Sequence, residues 1–172
     1  MAETADFGTV VDYVLTLADG AGTPKTYAVH VEPGVGSITL QTPAYGETQM
    51  MTSAGAMTGQ PRKTVQTRHA EIQISKARIK DRGANSSEAV LPDILEETGY
   101  VGSTWTSTET PADRRAYTVT LAAQARSGGV AAVTHTMTDA WIVHESIAYE
   151  HTVEGVFATF VIRANSLTTT RA

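Results

Sequence analysis

The chain contains no cysteine. Disulfides, thiolate metal sites and cysteine nucleophiles are therefore excluded, and folding needs no oxidising compartment. Lysine is scarce, with four residues, and the formal net charge is -5. A general nucleic-acid binder carries a basic patch and a high pI, so that class fits poorly. An acidic surface that repels DNA, as a conduit for DNA would want, is compatible with this balance. No run approaches the roughly 18 apolar residues of a membrane helix. The N-terminal MAETADFGTVVDYV has neither the basic nor the apolar region of a signal peptide. Neither membrane insertion nor a secretory leader is expected.

Catalytic and cofactor signatures are equally sparse. His30, His69, His135, His144 and His151 form no HxH or HExxH spacing. They read as separate sheet histidines, with His144 and His151 on opposite faces of one strand. No GxSxG elbow is present. Gly34-Val35-Gly36 lacks the third glycine and the helix of a phosphate cradle, and it reads as a turn. Glu145, Glu150 and Glu154 read as solvated charges near strand ends rather than a catalytic pair. No catalytic residue, cofactor or metal is expected.

What the chain does have is threonine, 27 residues in 172. That density, with little leucine, favours strands over helices. The length suits one domain, residues 1–172, with a core, an N-terminal arm and a C-terminal tail. The pattern is clearest over residues 114–165, which read as four strands (114–126, 130–137, 140–152 and 155–165). Ser127-Gly128-Gly129, Thr138-Asp139 and Val153-Glu154 read as links short enough for antiparallel neighbours. In the last strand Val156, Ala158, Phe160, Ile162 and Ala164 share one face, which predicts a buried side. The other face, with Phe157 and Val161, joins Trp141, Val143 and Ile147 in being more apolar than a solvated sheet needs. Part of it is expected to meet another sheet, a helix or a second copy.

Upstream, strands are expected over 9–17, 27–31 and 35–41, with a Gly/Asp/Pro turn at 18–24 and Gly36 marking a bulge. Residues 42–63 hold no period. They read either as a plain mobile surface loop or, with their flanks paired, as an extended hairpin whose Gly/Met-rich tip would dock on a neighbour through adaptable methionines. A long strand follows over 64–80, with Ala70, Ile72 and Ile74 on one face. Lys76, Arg78 and Lys80, the centre of the basic residues, are expected to share a face. That face would pair with acids of a neighbouring copy, contact DNA phosphate or be solvated. Residues 86–98 are the strong helix candidate. Val90, Leu91, Ile94 and Leu95 form its apolar stripe, Ser86 or Ser87 its N-cap and Gly99 its C-cap. Pro92 either gives this helix an irregular first turn, the preferred reading, or begins a shorter one over 92–98. Residues 100–105 read as a short strand, 106–113 as a loop and 166–172 as a Thr-rich tail.

This order of elements, with the stretches VEPGVGSITLQTPAYGETQMMTSAGAMTG and DAWIVHESIAYEHTVEGVFATFVIRA, resembles the tail tube (major tail) proteins of tailed bacteriophages and the tubes of contractile injection machines. The resemblance rests on layout across most of the chain. It implies a mainly β fold, an antiparallel β-sandwich or barrel flanked by one helix. It further implies homohexameric rings that share an inner β-barrel and stack into a hollow tube. That tube would sit in the virion tail, beside other tail proteins, with DNA only in transit through a commonly acidic lumen. By layout, the loop contacting the next ring is residues 52–62, including Thr52, Ser53, Gly55, Met57, Gly59 and Arg62. Two other readings remain: a different virion β-sandwich, such as a capsid decoration or head–tail connection protein, and a ligand-binding β-sandwich module displaying Trp105 or Trp141.

Overall fold

A computed structural model describes residues 10–32, 34–48, 63–79, 90–96, 106–109, 115–125 and 133–171. The chain is mainly β with a single short helix, consistent with a sandwich- or barrel-like fold. The strands are β1 (Val10–Ala18), β2 (Thr26–Val29), β3 (Ser37–Gln41), β4 (Ala44–Thr48), β5 (Lys63–Arg68), β6 (Ala70–Arg78), β7 (Tyr117–Ala125), β8 (Val133–Ile142), β9 (Ala148–Thr152), β10 (Gly155–Ala164) and β11 (Thr168–Arg171), with helix α1 (Leu91–Leu95) between β6 and β7. The main path runs β2-β1-β7-β8-β10-β6-β3, and every pairing is antiparallel. Past β2 the chain reaches β6: Val31 bridges Ala77, and the Arg78 amide donates to the His30 carbonyl at 2.8 Å. These bonds close the path into a barrel-like ring.

The core lies inside that ring. Leu15 and Leu17 from β1, Ile72 and Ile74 from β6, Tyr117 and Val119 from β7, and Phe160 and Ile162 from β10 are all buried there. Each set obeys the two-residue repeat of a strand with one buried face. On β10, Ala158, Phe160, Ile162 and Ala164 are buried as the alternation predicts, and Val156 is half-buried. Phe157, on the opposite face, is buried too, but outside the core cluster. Leu91, Ile94 and Leu95 of α1 complete the core, as the apolar stripe implies.

Several expected boundaries shift, each for a local physical reason. The helix does not run over 86–98. Val90 is extended (φ -111, ψ 154) and α1 runs Leu91–Leu95, nearer the shorter reading over 92–98 but starting one residue before Pro92 and ending at Leu95. Pro92 has no N–H and fits only the first turn, where that donor would be orphaned anyway. Val90 occupies the N-cap position with no side-chain cap bond, and Glu96 the C-cap. Ser86, Ser87 and Gly99 lie outside the described residues, as do residues 100–105.

The strand expected over 64–80 breaks at His69. β5 pairs with β4 as a separate hairpin, and β6 enters the main sheet. The hairpin expected around 42–63 is thus present at its base, and its tip lies outside the described residues. Thr138-Asp139 is not a turn. β8 runs through it as a bulge opposite Tyr117–Val119, with Asp139 at φ 50. Aspartate tolerates this left-handed conformation better than most residues. The chain reverses later, through a 3-10 turn at His144–Ser146. His144 and His151 therefore do not share a strand. The Thr-rich tail is also ordered, as β11 along β8.

A second bulge sits in β6, between the pairs Phe160↔Ile74 and Ala158↔Ala77, with Lys76 at φ 55. Gly36 lies just before β3 against this bulge. A Cβ there would collide with the Ser75 and Lys76 carbonyls, so the glycine permits the close approach.

Asp19 is the buried charged residue of the described chain, 3% exposed. Its Oδ1 accepts from the amides of Lys25 (2.7 Å) and Ala21 (3.4 Å), and its Oδ2 from the Thr106 amide (3.1 Å). The Gly20 amide donates back to the Thr106 carbonyl at 2.9 Å. One carboxylate thus shapes the 19–25 turn and ties it to a segment far away in sequence. Asp19→Ala removes the acceptor from buried amides and should cost roughly 1–3 kcal/mol in urea unfolding. Asp19→Asn keeps one acceptor oxygen but turns an NH2 donor toward the amides that used the other, so it should be destabilising as well. Losses within about 0.5 kcal/mol for both variants would mean that these bonds do not hold the turn.

Candidate assembly surface

The strands β2-β1-β7-β8-β11 present one continuous sheet to the outside of the barrel. Because Leu15, Leu17, Val119, Leu121 and Met137 point inward, the residues between them point outward. Cross-strand register then aligns residues distant in sequence. One row reads Ala28, Thr16, Thr120, Thr136 and Thr168. The next reads Val14, Ala122, Thr134 and Thr170. A third, shorter row holds Thr26, Ala18 and Thr118. The third row continues onto the β8 bulge, where Thr138 and Asp139 are both exposed; the other described side chains of these rows are not ionisable. Val14 is 44% exposed, a large apolar group on open surface.

One end of this sheet is β11. All four of its residues are exposed, and among the described residues it pairs on one side alone, with β8. His135 Nδ1 and Thr169 Oγ1 lie 2.9 Å apart, and the Thr170 hydroxyl donates to the Thr134 carbonyl at 3.5 Å. An unpaired strand edge is a template for another strand, and proteins normally blunt it with lysine, proline or a bulge. Thr168, Thr169 and Thr170 supply none of these; Arg171, at the strand's end, is the one charge. Three consecutive threonines carried a strand signal, but at the end of the chain they read as a tail.

The opposite outer surface, on β10 and β6, is charged and internally paired. Arg163 Nε donates to Glu71 Oε2 at 2.7 Å, and Gln73 donates to Glu71 Oε1 at 2.7 Å. The Gln73 hydrogen bond, then Arg163, holds the Glu71 carboxyl below the usual glutamate value. His69 meets Trp141 edge-on, with ring centroids 5.3 Å apart.

The residues expected to carry inter-subunit charge lie on this side. Strict alternation would have put Lys76 on the inward face with Ile72 and Ile74. The bulge instead releases it outward, buries Ala77 and exposes Arg78. Each finds an acid within the chain: Lys76 Nζ lies 3.2 Å from Glu150, and Arg78 pairs with Glu32. Both pairs are exposed, so each contributes little to stability. Lys80 lies outside the described residues, as do Thr52, Ser53, Gly55, Met57, Gly59 and Arg62 of the expected contact loop. The base of that loop is anchored: Arg68 donates to the Thr42 carbonyl at 3.0 Å, and the Gln66 amide to the Asn165 carbonyl at 2.9 Å.

A cleft of about 830 Å³ lies between α1 and the β9–β10 hairpin, lined in part by Arg78, Pro92, Glu96, Tyr149 and Val153. The Tyr149 hydroxyl donates to Glu96 Oε1 at 3.1 Å. Partial burial, then the Glu96 carboxylate, pushes the phenol up to about 12, so it stays protonated at neutral pH. Among the described residues, no group of three or more His, Asp or Glu is arranged to hold a metal ion, and no helix is long and apolar enough to cross a membrane. Compared with known proteins, the chain matches no protein-family model and no curated protein.

Proposed function

We propose that this chain is a structural subunit that assembles with itself, a tail tube protein of a tailed bacteriophage. In this reading homohexameric rings stack into a hollow conduit for DNA, in the virion tail and in contact with other tail proteins. The observation that carries it is the edge of β11, which among the described residues is unpaired on one side and lacks lysine, proline or a bulge. Such an edge invites a strand from another molecule. Pairing it with a different edge of the next copy is a heterologous contact, which closes into a ring if the rotation allows. The layout resemblance supplies the tail tube itself, and the anchored β4–β5 hairpin base suits a loop that reaches the adjacent ring.

Light scattering and negative-stain microscopy, across protein and salt concentration, test this directly. Rings or hollow tubes of regular repeat are expected, and a monodisperse monomer at high concentration overturns the reading. Particles that bind capsids alone, as trimers, would favour a decoration protein instead. Deleting residues 53–60 should leave a folded subunit whose rings fail to elongate. Long tubes from the deletion variant would remove the loop from the ring-to-ring contact.

A further inference from the structure

Two strands lie off the main path of the sheet: β11, paired with β8, and β9, paired with β10. Among the described residues each is hydrogen-bonded on one side alone. Of the strands whose side chains are all described, these are the two in which every residue is exposed. Neither contains lysine, proline or a bulge, so both are templates for an added strand. We infer, resting on the tube reading, that β11 of one copy adds to the free edge of β9 of the next. This pairing delivers Arg171 to the cleft between α1 and the β9–β10 hairpin, against Glu96 and Tyr149 of that next copy.

Direction and position suit a head-to-tail contact. β9 is antiparallel to β10, β10 to β8 and β8 to β11, so β11 runs with β10 and against β9. Copies related by rotation about an axis along these strands would therefore pair the two edges antiparallel, the slightly more stable ladder. The edges also face apart. β8 and β9 lie on the same side of β10, away from β6, and β9 turns its free edge outward on that side. β11 has β8 on that side, so its own free edge is on the other. Two different edges that face apart make a heterologous contact, which repeats from copy to copy.

Face and length select the register. On β11, Thr168 and Thr170 lie opposite Thr136 and Thr134 on the outer face, so Thr169 and Arg171 look inward. On β9, Glu150 lies opposite Phe157 on the outer face, and Tyr149 and His151 lie opposite Ala158 and Val156 on the inner one. With faces matched, all four residues of β11 overlap β9 when Thr169 meets His151 and Arg171 meets Tyr149. The Tyr149 hydroxyl already donates to Glu96 Oε1, so the incoming guanidinium meets a carboxylate beside an aromatic ring. Among the described residues neither Arg171 nor Glu96 has an ion-pair partner in its own chain. Arg78, the cation that already lines this cleft, is taken up by Glu32. The added strand would also cover Tyr149, one of the exposed large apolar side chains.

The absence of native cysteine makes the first test clean, because introduced thiols are the chain's only ones. Thr169→Cys and His151→Cys, both at exposed positions, are made singly and together. Assembled protein is treated with a short bis-maleimide, which tolerates a small shift of register, and run on a denaturing gel. The double variant should give a ladder of covalent oligomers. An equal mixture of the two single variants should stop at dimers, and neither single variant alone should give any. Dimers from Thr169→Cys alone would mean that β11 pairs with β11 across a two-fold axis. Assembled mixtures without dimers would place the receiving edge elsewhere. Either result overturns the inference while the tube reading stands; failure of the unmodified protein to form tubes overturns both.

The charge contact has its own readout, which leaves the backbone edge untouched. Arg171→Glu should raise the protein concentration needed for assembly by roughly fivefold or more, and Glu96→Arg should do the same. Combining the two should bring that concentration back to within about twofold of the unmodified protein, a restoration that two independent structural losses would not give. No effect from either substitution, or losses that simply add, would remove Arg171 from the cleft.

Discussion

Leu95→Ala should destabilise the protein by roughly 2–5 kcal/mol, in the upper half of that range, with loss of the transfer energy and a cavity left behind. Leu95 is fully buried, and its neighbours Leu91 and Ile94 are buried with it. A helix of five residues cannot persist on its own, so packing against the barrel is what holds α1 in place. The cost depends on how far the site can collapse, and two bonds restrain that collapse. The Tyr117 hydroxyl donates to the Ile94 carbonyl at 3.4 Å, and Tyr27 is hydrogen-bonded to the Leu91 backbone. With α1 pinned at both ends, the void should persist. Urea unfolding measures the loss. A change below about 0.5 kcal/mol, the scale of surface substitutions, would contradict the packing described for α1.

Proline in β11 should abolish assembly without unfolding the subunit. Successive residues of an edge strand direct their N–H groups alternately to the paired and the free side. Proline removes one donor and is tolerated where that donor faced solvent. Of Thr169→Pro and Thr170→Pro, one therefore breaks a bond to β8 and the other blocks the free edge. The second should match the unmodified subunit in stability to within about 0.5 kcal/mol, as a surface substitution does. It should nevertheless yield no rings, because the incoming strand loses a ladder bond and meets the proline ring. The comparison separates folding from assembly within one strand. If both variants assemble normally, β11 is not the pairing edge and the observation supporting the tube reading falls.

Legibility followed the range of the interaction. Binary alternation alone marks Ala158, Phe160, Ile162 and Ala164 as a buried face, and Leu91, Ile94 and Leu95 as a helix stripe. Both depend on residues a few positions apart, and the periodicity of a strand or helix fixes them. The β-class of the chain follows from the same patterns and from its threonine content. Pro92 also marks the start of α1 to within one residue, because a proline fits a helix in its first turn.

The candidate surface was much less legible. Thr16, Thr120, Thr136 and Thr168 become neighbours only through the registers of β1, β7, β8 and β11. Register between strands a hundred residues apart leaves no local trace in a sequence, and a one-residue slip would turn every side chain to the other face. The bulges at Lys76 and Asp139 are decided the same way, by where a partner strand must bend to close the barrel. They turn Lys76 outward where strict alternation with Ile72 and Ile74 would bury it, and make an apparent hairpin link the middle of β8. Composition and alternation thus determined that this chain is a β protein with one helical plug. Barrel closure decided which threonines share a face and left β11 paired on one side alone among the described residues, because both depend on pairing between distant strands.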